Sequence, residues 1–439
     1  MIISCRLFCS LLLLIISDDV HVSSFTTQSQ SNFHTSSRNN YLISKRTSSA
    51  LFSSTPLSSS KPKAKPRTGI AQQLLDFALN SPLWKLVLVP QARKNIAKTA
   101  EANGIQWEKS KQWLLDQDGP WKSTKENDDG SYNQKFPYPA YYTKEFHTYT
   151  NGNLSWESAI EQELASRAIG ARNFPSFGAD GGDAFRSSFE QAIIRLGGHC
   201  PDGGIILDLG AGTGISTRRL GALFPHEDNK ILGLDLSPYM IAVGQKLLDM
   251  APLQKRVSGD AVSTGQDALD GKWVSDIMPD ERIELRVGDA ANTNLDDESV
   301  NVVNLSLVIH ELPIDVTIQV CKEAYRILKP GGQLFISEMD FDSPAYAAQR
   351  ENAMLFSLLR STEPFLDDYA DGMERVREFL IATFESVKIT AATGRHYALV
   401  ATKGVNNNDD KLGIFEDSRF KDGNYIVDDT HLKVWESKE

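Results

Sequence analysis

A glycine-rich turn between a buried strand and a helix is the feature that most constrains how this chain folds. The apolar run Ile205–Leu209 leads into the sequence Asp-Leu-Gly-Ala-Gly-Thr-Gly at positions 208 to 214. The segment after it, residues 215 to 224, keeps its apolar residues at helical spacing. Strand, glycine turn and helix form the first unit of a doubly wound α/β sheet, and ligands of such sheets bind at that turn.

The spacing of the glycines restricts the class of ligand. A dinucleotide fingerprint needs a third glycine five residues after the first, and that position falls on Ile215 or Thr217. A phosphate-binding P-loop needs a lysine as the loop closes, and none follows Gly214 before the helix is under way. The glycine spacing therefore does not predict a binding site for a dinucleotide or for a nucleoside triphosphate.

The pattern Asp-x-Gly-x-Gly-x-Gly resembles that of the class I S-adenosylmethionine (SAM) methyltransferases. The resemblance implies an α/β fold with a doubly wound, seven-stranded, mostly parallel sheet, here preceded by an N-terminal helical extension. It also implies SAM as the cofactor, held at the turn by Asp208, Gly210, Ala211, Gly212 and Gly214.

A second carboxylate ends the next predicted strand, residues 230 to 236. Asp235 follows Asp208 by 27 positions, and a carboxylate at this strand tip can accept both hydroxyls of an adenosine ribose. Leu236, at the end of that strand, and Met240, in the following helix, are predicted to line the same ligand edge.

The third and fourth predicted strands, Ile283–Val287 and residues 300 to 309, complete the cofactor edge. The family resemblance implies that Asp289 accepts the adenine amino group and that the neighbouring backbone at Ala290 meets the ring. Ser306, in the fourth strand, is the last predicted cofactor contact.

The Leu-Lys-Pro-Gly-Gly turn at residues 328 to 332 is similar to that of the type 11 methyltransferases, which include ubiquinone and menaquinone C-methyltransferases. The fifth strand is predicted at residues 333 to 337 and a helix at 345 to 361. The last strand pair is predicted at residues 384 to 390 and 396 to 402, the final strand being antiparallel. The resemblance covers Ile205 to about Lys403.

Methyl transfer is an in-line displacement for which alignment supplies much of the rate enhancement. An acceptor that must lose a proton also needs a base, and His310, followed by Glu311 at the end of the fourth strand, is the candidate. A structural role for His310 as a hydrogen-bond donor is the alternative. Further candidates follow the fifth strand: Glu338, Asp340 and Asp342.

An aromatic segment precedes the domain, and two interpretations are open. Its members include Phe136, Tyr141, Tyr142, His147 and Tyr149. Aromatic clusters usually serve packing. The functional interpretation is a cap over the SAM and acceptor pocket, because a sulfonium cation favours aromatic faces and the reaction needs shielding from water.

The first 68 residues predict a two-part targeting leader. Residues 1 to 24 have the outline of a signal peptide, with an apolar stretch from Leu7 to Ile16 that is too short for a membrane span. Residues 25 to 68 contain no acidic residue, and their composition is typical of a transit peptide. Together they resemble the leaders of algae with complex plastids, so the predicted location is the plastid, with ordinary secretion as the alternative.

Beyond the leader, the predicted organisation is an N-terminal helical and aromatic cap at residues 69 to 177, a SAM methyltransferase domain at 178 to 404 and an acidic C-terminal tail at 405 to 439. An asparagine-rich stretch at the start of the tail is typical of a linker. The polar insertion at residues 251 to 281 has no predicted role.

Charge and cysteine content exclude several kinds of partner. Without residues 1 to 68 the chain keeps 38 Lys and Arg against 55 Asp and Glu, which disfavours nucleic-acid binding. Two cysteines remain, Cys200 and Cys321, too few for a disulfide framework or a four-thiolate zinc site, and no metal site is predicted. No membrane span is predicted after the leader, while peripheral membrane contact and the oligomeric state stay open.

Three functions are compatible with these patterns. The first is methyl transfer to a small-molecule acceptor in the plastid, such as a quinone, lipid, pigment or phenolic. The second is a protein or RNA methyltransferase, which the acidic chain and the lack of an Asn-Pro-Pro-Tyr-like motif after the fourth strand disfavour. The third is a SAM-binding assembly factor without turnover.

Overall fold

A mostly parallel sheet forms the centre of the computed structural model, which describes residues 89–122, 138–147, 149–254, 280–405 and 413–432. The predicted leader segments, Phe136 and most of the insertion at 251 to 281 lie outside the described residues. The described ranges belong to one compact unit, residues 69 to 439.

Eight strands form the main sheet within the described ranges, in the order β3-β2-β1-β4-β5-β7-β6-β8. Strand β7 is antiparallel to both of its neighbours and the other pairs are parallel. The strands are β1 Ile205–Leu209, β2 Lys230–Asp235, β3 Ile283–Val287, β4 Val300–Ser306, β5 Leu328–Met339, β6 Ser386–Ala391, β7 His396–Thr402 and β8 Ile414–Asp417. Two short strands, β9 Phe420–Lys421 and β10 Asn424–Tyr425, form a separate antiparallel pair.

The prediction of a doubly wound, mostly parallel sheet is confirmed, but the prediction of seven strands is wrong. The eighth strand, β8, comes from the segment predicted as an acidic tail, and it pairs with β6 in parallel. Its four residues are all exposed, so they show no alternation of apolar and polar positions. The pattern that reveals a half-buried strand is therefore missing from its sequence.

Ten α-helices surround the sheet in the described part of the chain. They are α1 Val89–Ala102, α2 Trp107–Asp116, α3 Trp156–Asn173, α4 Gly181–Arg195, α5 Ile215–Leu223, α6 Pro238–Gln254, α7 Ile314–Ile327, α8 Pro344–Glu351, α9 Ala353–Thr362 and α10 Leu366–Thr383. Asn352 separates α8 from α9 where the sequence predicted one continuous helix. None of the described helices has both the length and the apolar character that a membrane crossing requires.

Alternating strand residues build a core on each face of the sheet. Leu207 and Val303 belong to the core that α7 and α10 cover, whereas Ile206 and Val302 belong to the core under Phe185 and its neighbours in α4. Helices α1, α2, α3 and α6 share a third apolar cluster, which also holds Met240. Because helices cover both faces, the ligand-binding edge is left at the carboxyl ends of the parallel strands.

The described C-terminal segment is fixed to the sheet by a buried arginine. The Arg419 side chain is 2% exposed and its Nη1 lies 2.8 Å from Asp340 Oδ1, just after β5. Its Nη2 lies 2.8 Å from Asp417, and the Tyr425 hydroxyl donates to the second oxygen of Asp340 at 2.7 Å. The segment after β8 therefore supplies two side-chain partners of a buried carboxylate.

A buried histidine makes the stability of this core depend on pH. His396 is 4% exposed, shares a 2.8 Å hydrogen bond with the Thr393 hydroxyl and packs against aromatic rings of α4. Burial, and next the charge of Arg395, lower the pKa of His396 to about 3. The unfolded chain has an ordinary histidine pKa of about 6.5, so below that pH it binds a proton that the folded chain does not.

We expect this difference to lower the free energy of unfolding by ~2 kcal/mol between pH 6.5 and pH 5, at ~1.4 kcal/mol per pH unit. His396→Gln removes the titrating group, so the slope of stability against pH should become shallower by that amount over the same range. Denaturant unfolding of both proteins at several pH values measures the two slopes. Equal slopes for the two proteins would show that the pKa of His396 is the same in the folded and the unfolded chain.

Candidate active site

The glycine turn has the backbone that its sequence predicted. Gly210, Gly212 and Gly214 have φ values of 71°, 57° and 88°, a region that side chains disfavour. The amides of residues 210 and 211 both donate to the Leu234 carbonyl, at 2.8 and 3.0 Å, which ties the turn to β2. A Cβ atom on Gly212 would lie 2.2 Å from the Gln162 amide, so the turn is also closely covered from α3.

Asp208 is fully buried behind this turn. Its Oδ2 accepts hydrogen bonds from the hydroxyls of Ser216 and Thr217, and its Oδ1 accepts one from Asn304, each at 2.7 Å. Burial raises the pKa of Asp208, and these hydrogen bonds oppose the rise. The carboxylate links β1, to which it belongs, to β4 and to the start of α5. These contacts fix the position of the turn between β1 and α5.

Asp235 stands at the tip of β2, next to the turn. Its Oδ2 accepts from the Gly212 amide at 2.9 Å, and its Oδ1 accepts from the Ser237 amide at 2.8 Å and from the Tyr142 hydroxyl at 3.1 Å. A carboxylate offers about four acceptor positions, and these contacts use three. Asp235 thus connects the glycine turn, the start of α6 and the aromatic segment.

The remaining predicted cofactor residues are found around the same edge. Asp289 follows β3, and its Oδ1 accepts from the Ala291 amide at 2.8 Å, beside a partly buried Ala290. Leu236 is buried just after β2, and Met240 is buried in the first turn of α6. Ser306, at the end of β4, is not free, because Arg186 donates to its hydroxyl at 3.0 Å.

Two polar side chains, one at the glycine turn and one at the end of β4, carry no signal in the sequence, because each lies on a helix without a recognisable motif. Gln162 of α3 accepts from the Thr213 amide at 2.6 Å. Arg186 of α4 donates to Ser306 and, at 3.0 Å, to Ser166, while its Nε is buried without a hydrogen-bond partner. Burial, and next the charge of Arg219, lower the pKa of Arg186 to about 10. The structure therefore adds a cation and an amide to the edge.

The aromatic segment divides between this edge and the helical layer. Tyr142 bonds Asp235, and Tyr141 is partly buried against the core that α7 and α10 cover. Burial, and next the Asp235 charge, raise the pKa of Tyr142 well above its ordinary value, so Tyr142 is a neutral donor. Tyr149 instead donates to Glu161 of α3 at 2.7 Å, away from Asp235. His147 joins a separate group of histidines and carboxylates.

His310 lies in the 3-10 turn Ile309–Glu311 after β4 and is 8% exposed. Its Nδ1 is 2.9 Å from both carboxylate oxygens of the fully buried Glu338 in β5. Burial lowers the pKa of His310, but the Glu338 carboxylate outweighs burial and raises this pKa to about 10. Without a ligand, His310 is therefore a protonated partner of Glu338 near neutral pH.

Glu311 points to the space between this pair and Asp235. Its Oε2 accepts from the Asn153 side chain at 3.2 Å, and the Asn153 carbonyl accepts from the Ser237 hydroxyl at 2.6 Å. Its Oε1 lies 3.8 Å from His147 Nε2. Burial raises the pKa of Glu311 to about 7. A continuous row of polar contacts thus runs from the tip of β2 to the end of β4.

The other carboxylates predicted as possible bases have structural partners. Asp340 is bound by Arg419 and Tyr425, as described above. Asp342 lies 3.3 Å from Arg419 and 3.5 Å from Arg377. Glu338 holds His310.

Comparisons with known proteins find similarity over the central part of the chain. Residues 207–336 match the family model described as a methyltransferase domain. An arsenite methyltransferase of Halobacterium salinarum is 28% identical over 142 residues, 32% of this chain and 29% of that protein. A demethylmenaquinone methyltransferase of Lactobacillus johnsonii is 31% identical over 136 residues, 31% of this chain and 44% of that protein.

The chain thus spans less than half the length of each of these two relatives. Among solved structures, a SAM-dependent methyltransferase from Aquifex aeolicus is 14% identical, with 49% of this chain and 92% of that chain covered and a TM-score of 0.33.

Proposed function

We propose that this protein is a SAM-dependent methyltransferase that acts on a small molecule. The observation that carries the proposal is the junction of the left-handed glycine turn with the Asp235 carboxylate, inside the stretch that matches the methyltransferase domain. This junction is at the carboxyl edge of a sheet whose first seven strands follow the order 3-2-1-4-5-7-6.

The residues at this edge fit the three polar parts of SAM. Asp235 keeps one acceptor position for ribose hydroxyls, and Asp289 offers a carboxylate beside the partly buried Ala290 for the adenine. Arg186 offers a buried cation with an unpartnered Nε, which suits the carboxylate of the amino-acid end. When bound, SAM supplies the methyl group on an electron-poor sulfonium.

The chain's own contribution is alignment and exclusion of water. The Tyr142 hydroxyl donates to Asp235, so one side chain of the aromatic segment covers the tip of β2. Glu311, Asn153 and Ser237 continue the polar lining toward the end of β4, where the acceptor is placed. Holding two reactants in line is worth ~7–11 kcal/mol of the barrier.

The finer parts of the proposal are the acceptor class and the location. The Leu-Lys-Pro-Gly-Gly turn and the similarity to a demethylmenaquinone methyltransferase favour a quinone-like or phenolic acceptor. The acid-free leader favours the plastid. A fusion of residues 1 to 68 to a fluorescent protein should enter the plastid of an alga with complex plastids, and secretion of the fusion would refute this location.

The activity is tested by incubating the full chain with methyl-labelled SAM and fractionated plastid extract. We expect label in one small-molecule fraction. Label in protein or RNA instead would reject the small-molecule acceptor. If SAM binds in calorimetry but no fraction takes up label, the protein binds SAM without turnover, and the proposed activity is wrong.

A separate prediction tests the role of Arg186. Arg186→Met should weaken SAM binding by ~10-fold or more, because a hydrogen bond between charged groups contributes ~1.5–3 kcal/mol. Decarboxylated SAM, which lacks the carboxylate, should bind the variant and the original protein alike. Calorimetry with both ligands gives the comparison, and Arg195→Met, on the same helix but facing Asp428, is the matched control. An equal loss for both ligands would mean that Arg186 only supports the fold.

A further inference from the structure

Two histidines and two glutamates from three distant parts of the chain converge beside the proposed acceptor site. One ligand atom from each of His147, His310 and Glu363 lies within 4.8 Å of the other two. Glu311 adds a fourth candidate, with its Oε1 3.8 Å from His147 Nε2. We propose that this cluster binds a divalent transition-metal ion, with Zn²⁺ as the preferred ion. The sequence predicted no metal site.

The donor set matches the chemistry of such an ion. Two imidazole nitrogens with carboxylate oxygens suit Zn²⁺ and neighbouring first-row metals, and sets of two histidines and one glutamate occur in zinc enzymes with an open position. Around an ion with bonds of 2.0–2.1 Å, tetrahedral ligand atoms are about 3.3 Å apart. His147 Nε2 lies 2.9 Å from Glu363 Oε1 and 3.8 Å from Glu311, which brackets that separation.

Glu338 orients His310 as the second layer of a metal site does. Both of its oxygens contact His310 Nδ1 at 2.9 Å, so Nε2 is the nitrogen left for a ligand. Histidines that bind metals usually donate their other ring nitrogen to a carboxylate or carbonyl, which holds the ring and raises its basicity.

Glu363 provides an independent sign that a cation is needed. Its Oε2 is buried and has no hydrogen-bond partner in the described structure, although the other oxygen contacts His147. A buried carboxylate oxygen without a partner is costly. An ion between the histidines and Glu363 would satisfy it.

The backbone holds His147 in an unusual conformation at this place. His147 has a φ of 48°, and its amide donates to the Thr362 carbonyl at 3.0 Å, which brings it against Glu363. Phe146 and Tyr149 form a mutual pair of backbone hydrogen bonds around it. A residue other than glycine held at positive φ stores strain, and such strain concentrates at functional sites.

The charge of the cluster can accommodate a divalent cation. Within the described residues, Glu311, Glu338 and Glu363 form their ion pairs with the two histidines. If both histidines are protonated, the three glutamate carboxylates give the cluster a net charge of −1. One divalent ion with two neutral histidines would give the same net charge and would also provide a partner for Glu363 Oε2. The proposal stands on the cluster and does not depend on methyl transfer.

Equilibrium dialysis of the full chain against Zn²⁺ tests the site in the absence of SAM. We expect about one ion per chain, and at least ~100-fold weaker binding in His147→Ala and in Glu363→Gln, since loss of even a second-layer partner costs ~10- to 100-fold. His147 is a suitable probe because its side chain is 41% exposed, so the change leaves the core intact. Co²⁺ absorption bands of the original protein, absent from both variants, provide a second readout.

Two matched controls use exposed residues away from the cluster, His199→Ala and Glu378→Gln, which should bind Zn²⁺ as the original protein does. Circular dichroism of every variant separates loss of a ligand from loss of fold. If the original protein retains no Zn²⁺, or if the two cluster variants retain as much as the controls, the proposal is overturned. The cluster would then consist of ion pairs between protonated histidines and carboxylates.

Discussion

Replacing Arg419 by methionine should lower the free energy of unfolding by about 3–5 kcal/mol, the scale for removing one partner of a buried ion pair. The guanidinium is 2% exposed and contacts Asp340, whose side chain is 1% exposed. Methionine keeps much of the length of the side chain but leaves this carboxylate without a cation, with hydrogen bonds from the Tyr425 hydroxyl and the Asp342 amide. Denaturant unfolding of the full chain measures the loss.

Arg375→Met is the matched control. Arg375 also contacts an aspartate at 2.7 Å, but its side chain is 56% exposed and that of Asp315 is 75% exposed. Exposed pairs contribute ~0–1 kcal/mol, so this control should change little. Combining Arg419→Met with Asp340→Asn should cost less than the sum of the two single changes, because the two residues are in contact. Additive losses, or equal losses for Arg419 and Arg375, would show that the buried pair is not a stabilising unit.

Changing Asp235 to alanine should weaken SAM binding by ~10- to 100-fold, because the ribose loses a charged acceptor and such a hydrogen bond contributes ~1.5–3 kcal/mol. The same change releases the Gly212 amide, which loosens the turn. Calorimetry with SAM measures the affinity, and Asp202→Ala, at a side chain that is 83% exposed, is the control.

The variant must be shown to be folded by circular dichroism before its affinity is interpreted. Asp235→Asn should recover part of the binding, because the amide oxygen can still accept one hydrogen bond. A folded Asp235→Ala protein that binds SAM as tightly as the original would exclude Asp235 from the cofactor site.

Local patterns predicted the centre of the fold well. The bounds of β1, β3 and β7 agree with their apolar runs, since each of these strands is short and bounded by turns. Gly210, Gly212 and Gly214 have positive φ, and the glycines at alternate positions of the sequence indicate such a backbone. Strand β8 was missed because its side chains are all exposed, so no burial pattern marks it.

The surroundings of the candidate site were harder to predict because they depend on distant contacts. Arg186 reaches Ser306 across 120 residues, and nothing next to either residue indicates the other. His310 was predicted as a base from its position alone. Its contact with Glu338 depends on how the turn after β4 folds against β5, which no local pattern describes. The convergence of His147 with Glu363 depends likewise on tertiary packing.

Arg419 and Tyr425 are synthesised after Asp340, which sets the order in which this buried cluster can form. They follow Asp340 by 79 and 85 residues, so β5 is made long before its buried carboxylate can be neutralised. At roughly 5–20 residues per second, synthesis of that interval takes about 4–16 s. Chains interrupted in this interval contain the whole cofactor edge but lack the final counter-charge. The buried carboxylate of Asp340 therefore depends on residues that are synthesised well after β5, and it stays without its arginine partner until they emerge.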